Sequence, residues 1–397
     1  MKQIKINKPY LEEIGNKIRL CAEIEKDREK TILWYEVDKK FGKYLCNEHI
    51  DAFVVMLIPF IVEHGYDIIS NGLISEKLYY QLTNYELPLM CEYLKREPVT
   101  INCDTDDMNF KGKEVGTGLS GGVDSFYTIS KNIKNTPNYQ LTYLTFFNVG
   151  ASGDFGGIEA RNLFKARIDF VKNFAEENNL GFITIDSNIS EFINMDYIKT
   201  HTFRSLSAVL ALQKLFKTYY YSSGYCFQNS HISDEDCAYY DILNMQCLST
   251  ESVSFYNQGM ETTRIGKAKE ISNYSPTYKY LNVCVKEDHN CSKCEKCLRT
   301  MFALDSLGVL DKYKKVFDIE DFRKHMFKNY IFLLKKVHKK NRYYIESYEM
   351  YRKNKVKIPL LARIISYIPN LHDIWYYTPE PIRKKLRKYV KKNEKRN

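Results

Sequence analysis

The sequence predicts an α/β protein built on a doubly wound parallel sheet. An N-terminal α+β module and a basic, mostly helical C-terminal region flank it. Three observations lead there. From Val115 onward, strand-like apolar runs alternate with helix-like stretches, the pattern of a parallel sheet. A loop of small residues, Ser120-Gly121-Gly122-Val123-Asp124-Ser125, joins the first of these strands to a helix. Four cysteines crowd into residues 284–297 and predict a metal site.

Taken in order, residues 1–110 read as a separate α+β module. Ile32–Val37 and Phe41–Leu45 suggest a hairpin turning at Asp38-Lys39-Lys40. Helical stretches follow near Ala52–Glu63 and Glu76–Leu82, with no catalytic constellation among them. Residues 111–310 form the second domain. Its strands are expected at Val115–Leu119, Leu141–Phe147 and Phe182–Asp186, with a further run at Thr218–Gly224. Helices are expected from Phe126, over Gly157–Asn178, and over Phe203–Phe216. In such a sheet ligands sit beyond the carboxyl ends of the strands. Four segments should then converge: the Ser120 loop, Asn148-Val149-Gly150, Asp186-Ser187-Asn188 and Ser222-Ser223-Gly224. Residues 311–397 are rich in Tyr, Lys and Arg, irregularly helical, and end in a basic tail at Tyr389–Asn397.

Composition narrows the class. The longest apolar run, Ala52 to Val62, is about half of what spans a bilayer, and Pro59 interrupts it. The first residues carry no signal-peptide core, so a cytoplasmic location is expected. Of the formal charge of +10, the segment from Asp311 to the end carries 25 Lys or Arg against 9 Asp or Glu, which leaves the rest mildly acidic. Seven further cysteines are scattered, and most read as buried small apolar residues.

A turn without side-chain bulk that opens a helix directs several backbone N–H groups at one point. The helix dipole favours negative charge there as well, so the loop suits phosphate. It is not a Walker A, because no lysine enters the helix. The order Ser-Gly-Gly-Val-Asp-Ser resembles the PP-loop of the ATP pyrophosphatases, an adenine-nucleotide α-hydrolase-like, HUP-like superfamily that splits ATP between its α and β phosphates.

The cysteines sharpen that resemblance. Cys284, Cys291, Cys294 and Cys297 have a spacing that lets four thiolates close on one tetrahedral ion. Zinc is the first choice, and an iron–sulfur cluster is chemically possible. A Ser-Gly-Gly-x-Asp-Ser loop followed by such a cluster resembles the cyano-deazaguanine synthase branch, over about residues 113–308. The resemblance implies that Ser120, Gly121, Gly122, Val123, Asp124 and Ser125 hold ATP. It implies that the four cysteines hold zinc, and that Arg204, by a looser match, joins the nucleotide site. The added N- and C-terminal residues and the shorter cysteine spacing depart from that branch. They imply a synthase-like paralogue with another substrate.

The implied chemistry is adenylation. A carboxylate or amide oxygen attacks the α phosphate, pyrophosphate leaves, and ammonia or another nucleophile displaces AMP. Asp124 is the candidate for organising Mg²⁺ or the loop, with helix capping as its plain alternative. Ser120 and Ser125 would donate hydroxyls to phosphate. Lys267 and Lys269 could add positive charge, and a solvated helix face accounts for them equally. Asp186 and Asp241 could address substrate or metal, with strand-end and cap roles favoured. Two rival classes stand beside this reading. One is a tRNA-modifying enzyme gripping nucleic acid through its basic C-terminal region. The other is a non-catalytic, zinc-stabilised nucleotide-binding module. An anionic membrane surface could also engage Ile364-Ile365-Ser366-Tyr367-Ile368 and Trp375-Tyr376-Tyr377. The acceptor and the oligomeric state are not legible.

Overall fold

The computed structural model describes residues 2–284 and 287–368. The chain forms two compact units, Met1–Cys291 and Ser292–Asn397. The basic tail at Tyr389–Asn397 and the aromatic residues Trp375, Tyr376 and Tyr377 lie outside the described residues.

The first unit opens with β1 (Lys2–Ile6), β2 (Tyr10–Ile14), β3 (Lys17–Lys26) and β4 (Glu29–Asp38). The hairpin sits one strand earlier than expected. It joins β3 to β4 through Asp27 and Arg28, both at positive φ (53° and 71°), the backbone that matches the twist of paired strands. Phe41–Leu45 is not a strand, because Lys39–Tyr44 coils into a 3₁₀ turn. Helix α1 (Asp51–His64) is buried along its length to Val62, as its almost wholly apolar sequence requires, and it continues through Pro59. Gly65, left-handed at φ 68°, ends it. After it come β5 (Tyr66–Ser70), β6 (Ile74–Ser75), α2 (Glu76–Gln81), α3 (Leu87–Leu94), β7 (Ile101–Asn102) and β8 (Thr105–Asp106).

The alternating part follows as β9 (Glu114–Gly118), α4 (Val123–Asn132), β10 (Tyr143–Asn148), α5 (Gly157–Glu177), β11 (Gly181–Ser187) and α6 (Ile189–Ile193). It continues through α7 (His201–Leu210), β12 (Phe216–Ser222), α8 (Asp241–Cys247), β13 (Ser254–Gln258), α9 (Arg264–Ile271) and α10 (Thr277–Tyr280). Five of these strands pair in parallel in the order β13-β12-β9-β10-β11. The first strand is central. The next two extend to one side and the last two to the other, so the winding reverses between β9 and β12. That is a doubly wound sheet with its switch point at the Ser120 loop.

The sheet does not stop at the boundary expected near residue 110. Strand β11 pairs antiparallel with β4 (Asp186↔Glu36, Ser187↔Tyr35), and the order runs on through β3, β1, β5 and β7. Ser187 and Asn188 make the seam. Ser187 Oγ donates to Trp34 O at 2.6 Å, and Asn188 binds Trp34 N and Ile32 O at 2.9 Å each. Behind it, the buried Tyr35 hydroxyl meets Ala52 O at 3.2 Å and Ser207 Oγ at 2.8 Å, tying β4 to α1 and α7. Phe147, Ile183 and Ile185 belong to the core built around α1 and α7, while Phe126 of α4 packs on Phe174 of α5.

The second unit is helical, with α11 (Glu295–Ser306), α12 (Ile319–Lys324), α13 (Met326–His338), α14 (Arg342–Lys353) and α15 (Leu360–Ser366). Its buried tyrosines work as core residues with polar tips. Tyr344 and Tyr351 are buried, with hydroxyls on Glu295 O at 3.3 Å and Asp305 Oδ2 at 2.5 Å. Leu360, Leu361, Ile364, Tyr367 and Ile368 are exposed. Among the described residues no helix is long and apolar enough to cross a membrane.

Because Asn188 satisfies both a donor and an acceptor of β4, Asn188→Ala should cost about 1–2 kcal/mol. A lower urea midpoint would report it, and an unchanged midpoint would remove this side chain from the seam.

Candidate functional site

The Ser120 loop sits between the end of β9 and the start of α4, as its small residues demand. Gly121 lies at φ 79°, and a Cβ there would come within 3.1 Å of Asn282 O and 3.2 Å of the Phe170 ring. Both the backbone and the space therefore call for glycine. Gly121 O accepts from Asn282 N at 2.8 Å, which pins the turn. Ser120 Oγ and Ser125 Oγ are 3.2 Å apart, and Ser125 donates to Gly122 O at 3.0 Å. The two serines thus brace the loop as well as facing its mouth.

Asp124, in the first turn of α4, does not cap the helix with its side chain. It pairs with α9. Arg264 Nη1 lies 2.5 Å from one carboxylate oxygen and Lys267 Nζ 3.1 Å from the other. Arg264 and Lys267 are three apart on a helix capped by Thr263, so both fall on one face. The lysine side chain is only 3% exposed and also donates to Ser223 O at 2.5 Å. Gly259 leaves room for it, since a Cβ there would stand 2.9 Å from Lys267 Cε. Burial opposes ionisation of Asp124, but Arg264 first and Lys267 second outweigh it and hold the carboxyl down at about 2. Glu261 is a second carboxylate within electrostatic reach of Lys267. Lys269, two positions on, is exposed.

A cleft of about 200 Å³ opens over the ends of β9, β10 and β12. Ser120, Ser125, Val149, Tyr197, Tyr221 and Ser222 are among its lining. Three of the four expected segments therefore meet. The fourth, Asp186-Ser187-Asn188, is used in the seam to β4, and Asp186 accepts from Asn148 Nδ2 at 2.7 Å. Arg204 is fully enclosed and does not line the cleft. Its guanidinium donates to Asp154 O at 2.7 Å, Met195 O at 2.6 Å and Ser190 Oγ at 3.3 Å, and so anchors two loops. The place in the nucleotide site that the resemblance implied for it differs from this enclosed position.

Beside the cleft is a network that sequence reading missed. His201 Nδ1 is 2.7 Å from the Tyr221 hydroxyl, and Nε2 is 3.1 Å from Asp236 Oδ1. Cys237 lies against Thr202, which donates to the buried Asp241 at 2.7 Å. Burial lifts the Asp241 carboxyl to about 7. Asp241 is thus part of a buried polar cluster, while Asp186 has a strand-end role. Arg264 was missed too, although its spacing from Lys267 after a threonine cap was visible.

The four cysteines Cys284, Cys291, Cys294 and Cys297 bring their sulfurs within 4.8 Å of one another. Cys291 is partly exposed and the other three are buried. Cys294 caps α11, accepting from Cys297 N at 3.5 Å. The group could hold a metal ion such as zinc, and four sulfurs would leave such an ion no open position.

Comparison with protein-family models, curated proteins and solved structures gave no match.

Two tests follow from this geometry. Cys294→Ser should lose bound metal, measured by elemental analysis, and melt several degrees lower. Retained metal with an unchanged melting curve would refute the site. The folded Asp124 carboxyl titrates at about 2 against an ordinary 3.8, so its pairing stabilises above the ordinary value and is lost as pH falls toward 2. Asp124→Asn should therefore lower the melting temperature at neutral pH, with the gap to wild type closing in acid. A gap that stays constant with pH would contradict the pairing.

Proposed function

We propose that the chain is an ATP-dependent adenylating enzyme that releases pyrophosphate from ATP and activates a carboxylate or amide oxygen for attack by ammonia or another nucleophile. One observation carries the reading. The Ser-Gly-Gly loop opens α4 at the switch point of the doubly wound sheet, with Lys267 and Arg264 drawn to the same first turn by Asp124. Backbone N–H groups, a helix N-terminus and two cations around one loop suit a polyphosphate. The acceptor is unidentified. The PP-loop resemblance, closest to the cyano-deazaguanine synthase branch, supports the choice of cleavage between the α and β phosphates.

In this reading Ser120 and Ser125 turn their hydroxyls from each other to the phosphates. Lys267 and Arg264 stabilise the charge that develops on departing pyrophosphate, and Asp124 keeps both aligned. A bound Mg²⁺ would supply further neutralisation of the phosphates, while both Asp124 oxygens stay on Arg264 and Lys267. The cleft, at about 200 Å³, is smaller than the roughly 300–1,000 Å³ of pockets that enclose a whole drug-sized ligand. A nucleotide would therefore extend past its enclosed part, along the Ser120 loop. Zinc in the four-cysteine site has a structural role, since no coordination position would remain for substrate.

Phosphorus NMR of ATP, Mg²⁺ and purified protein, with candidate carboxylic and amide acceptors and ammonia, checks the proposal. AMP with pyrophosphate is expected. Lys267→Ala should slow its formation by about a hundredfold or more. ADP with phosphate, or ATP left intact with every acceptor, would overturn it.

A further inference from the structure

His201, Asp236 and Cys237 bring an imidazole nitrogen, a carboxylate oxygen and a thiol sulfur within 4.8 Å of one another. Among the described residues this is the one such ligand group besides the four cysteines. His201 is the first residue of α7, while Asp236 and Cys237 are consecutive. Asp236 has an extended backbone and caps the 3₁₀ turn Cys237–Tyr240, its Oδ1 accepting from Ala238 N at 2.9 Å. A straight strand would point two successive side chains apart. The turn instead lets both lie against the same imidazole.

The spacing fits one ion. His201 Nε2 and Asp236 Oδ1 are 3.1 Å apart. Nitrogen and oxygen ligands about 2.0–2.2 Å from a tetrahedral ion stand roughly 3.4 Å from each other, so a shift of a few tenths of an ångström would seat it. The outer contacts suit such a centre. Asp236 Oδ2 accepts from the Tyr225 hydroxyl at 2.8 Å, so bonds on both oxygens orient the carboxylate. His201 Nδ1 is 2.7 Å from the Tyr221 hydroxyl. With Nε2 on an ion, the ring hydrogen sits on Nδ1 and is donated to that phenol oxygen. Metal-binding histidines use such a contact to fix their tautomer and orientation. Cys237 is 1% exposed, whereas the His201 and Asp236 side chains are 18% and 13% exposed, so the histidine and the carboxylate give an ion its approach from solvent.

We propose that His201 Nε2, Asp236 Oδ1 and Cys237 Sγ bind one divalent transition-metal ion of the zinc class, in addition to any ion held by the four cysteines. The donor set chooses the metal. A sulfur ligand disfavours Mg²⁺ and Ca²⁺, whereas imidazole with thiolate suits zinc. Carboxylate and thiolate together balance the charge of the ion. Binding releases the hydrogen of the Cys237 sulfur to solvent and moves the imidazole hydrogen from Nε2 to Nδ1. Three protein ligands leave the fourth position of a tetrahedral ion to water, unlike the closed four-sulfur site. This site stands independently of the nucleotide reading above. The plain alternative is a hydrogen bond from His201 Nε2 to Asp236 with no ion, and a metal count decides between the two.

The test uses the full-length protein, loaded with Zn²⁺, dialysed free of excess and counted by elemental analysis, beside its Cys237→Ala, Asp236→Asn and Cys294→Ser variants. Wild type should hold about two zinc equivalents per chain, and Cys237→Ala and Asp236→Asn about one. Cys294→Ser should lose the other ion and keep the one assigned here. If wild type holds a single ion, the variants place it. Loss in Cys237→Ala with retention in Cys294→Ser sustains the site, and the reverse overturns it. No bound zinc, or a count that neither Cys237→Ala nor Asp236→Asn lowers, overturns it as well. Absorption of cobalt-loaded wild type covers the case of a variant that does not fold, because sulfur-to-cobalt charge-transfer intensity rises with the number of thiolates on the ion. A weak one-thiolate band that saturates on its own sustains the inference. A spectrum made only of a four-thiolate band overturns it.

Discussion

The pairing of β9 with β10 on one side and β12 on the other governs where this protein can act. The crossover after β9 runs to β10 on one side and the crossover after β12 runs to β13 on the other, so the loops leaving these two neighbouring strands part and a cleft opens at their carboxyl ends. The loop leaving β9 has to turn sharply into α4 within that cleft, which is why Gly121 adopts φ 79° against Asn282 and Phe170. Charge then follows from position. Asp124 stands in the first turn of α4, and α9 packs close enough for Arg264 and Lys267 to reach it. A near-buried lysine needs such a partner, and the carboxylate needs the cations, so each group accounts for the ionised state of the others.

The sheet also explains why the N-terminal residues belong to the same unit. An open edge at β11 would present unpaired backbone groups. Strand β4 covers it, and Ser187 and Asn188 complete the seam with side chains. Segments that look equivalent in sequence therefore have different uses. Ser222 faces the cleft, whereas Asp186-Ser187-Asn188, at the same end of β11 in the same sheet, holds the two halves of the sheet together.

Much of the α/β pattern was legible because its periodicity is local. The spans of α1, α5 and β11 match the expected helices and strand closely, and the strand-loop-helix around Ser120 stands out by residue type. The hairpin was not legible, because Asp27-Arg28 lacks the asparagine or glycine that usually marks two left-handed residues in succession. The network of His201, Tyr221 and Asp236 was equally hidden. Single residues of common types, contributed by separate elements, carry no spacing signal. Arg204 misled for a related reason, since its place early in a helix does not reveal that carbonyl oxygens enclose its guanidinium.

By itself the sequence determined the alternating α/β pattern, the phosphate-suited loop from Ser120 to Ser125 and the grouping of four cysteines, all of which depend on residues close together along the chain. Only the tertiary structure decided that β4 completes the sheet at β11, that Lys267 turns inward while Lys269 faces solvent, and that Tyr221 is backed by His201 and Asp236. The reason is physical. Strand order, burial and polar pairing join residues as distant as Tyr35 and Ser207, 172 positions apart, and the free energies that select them exist only once the chain has packed.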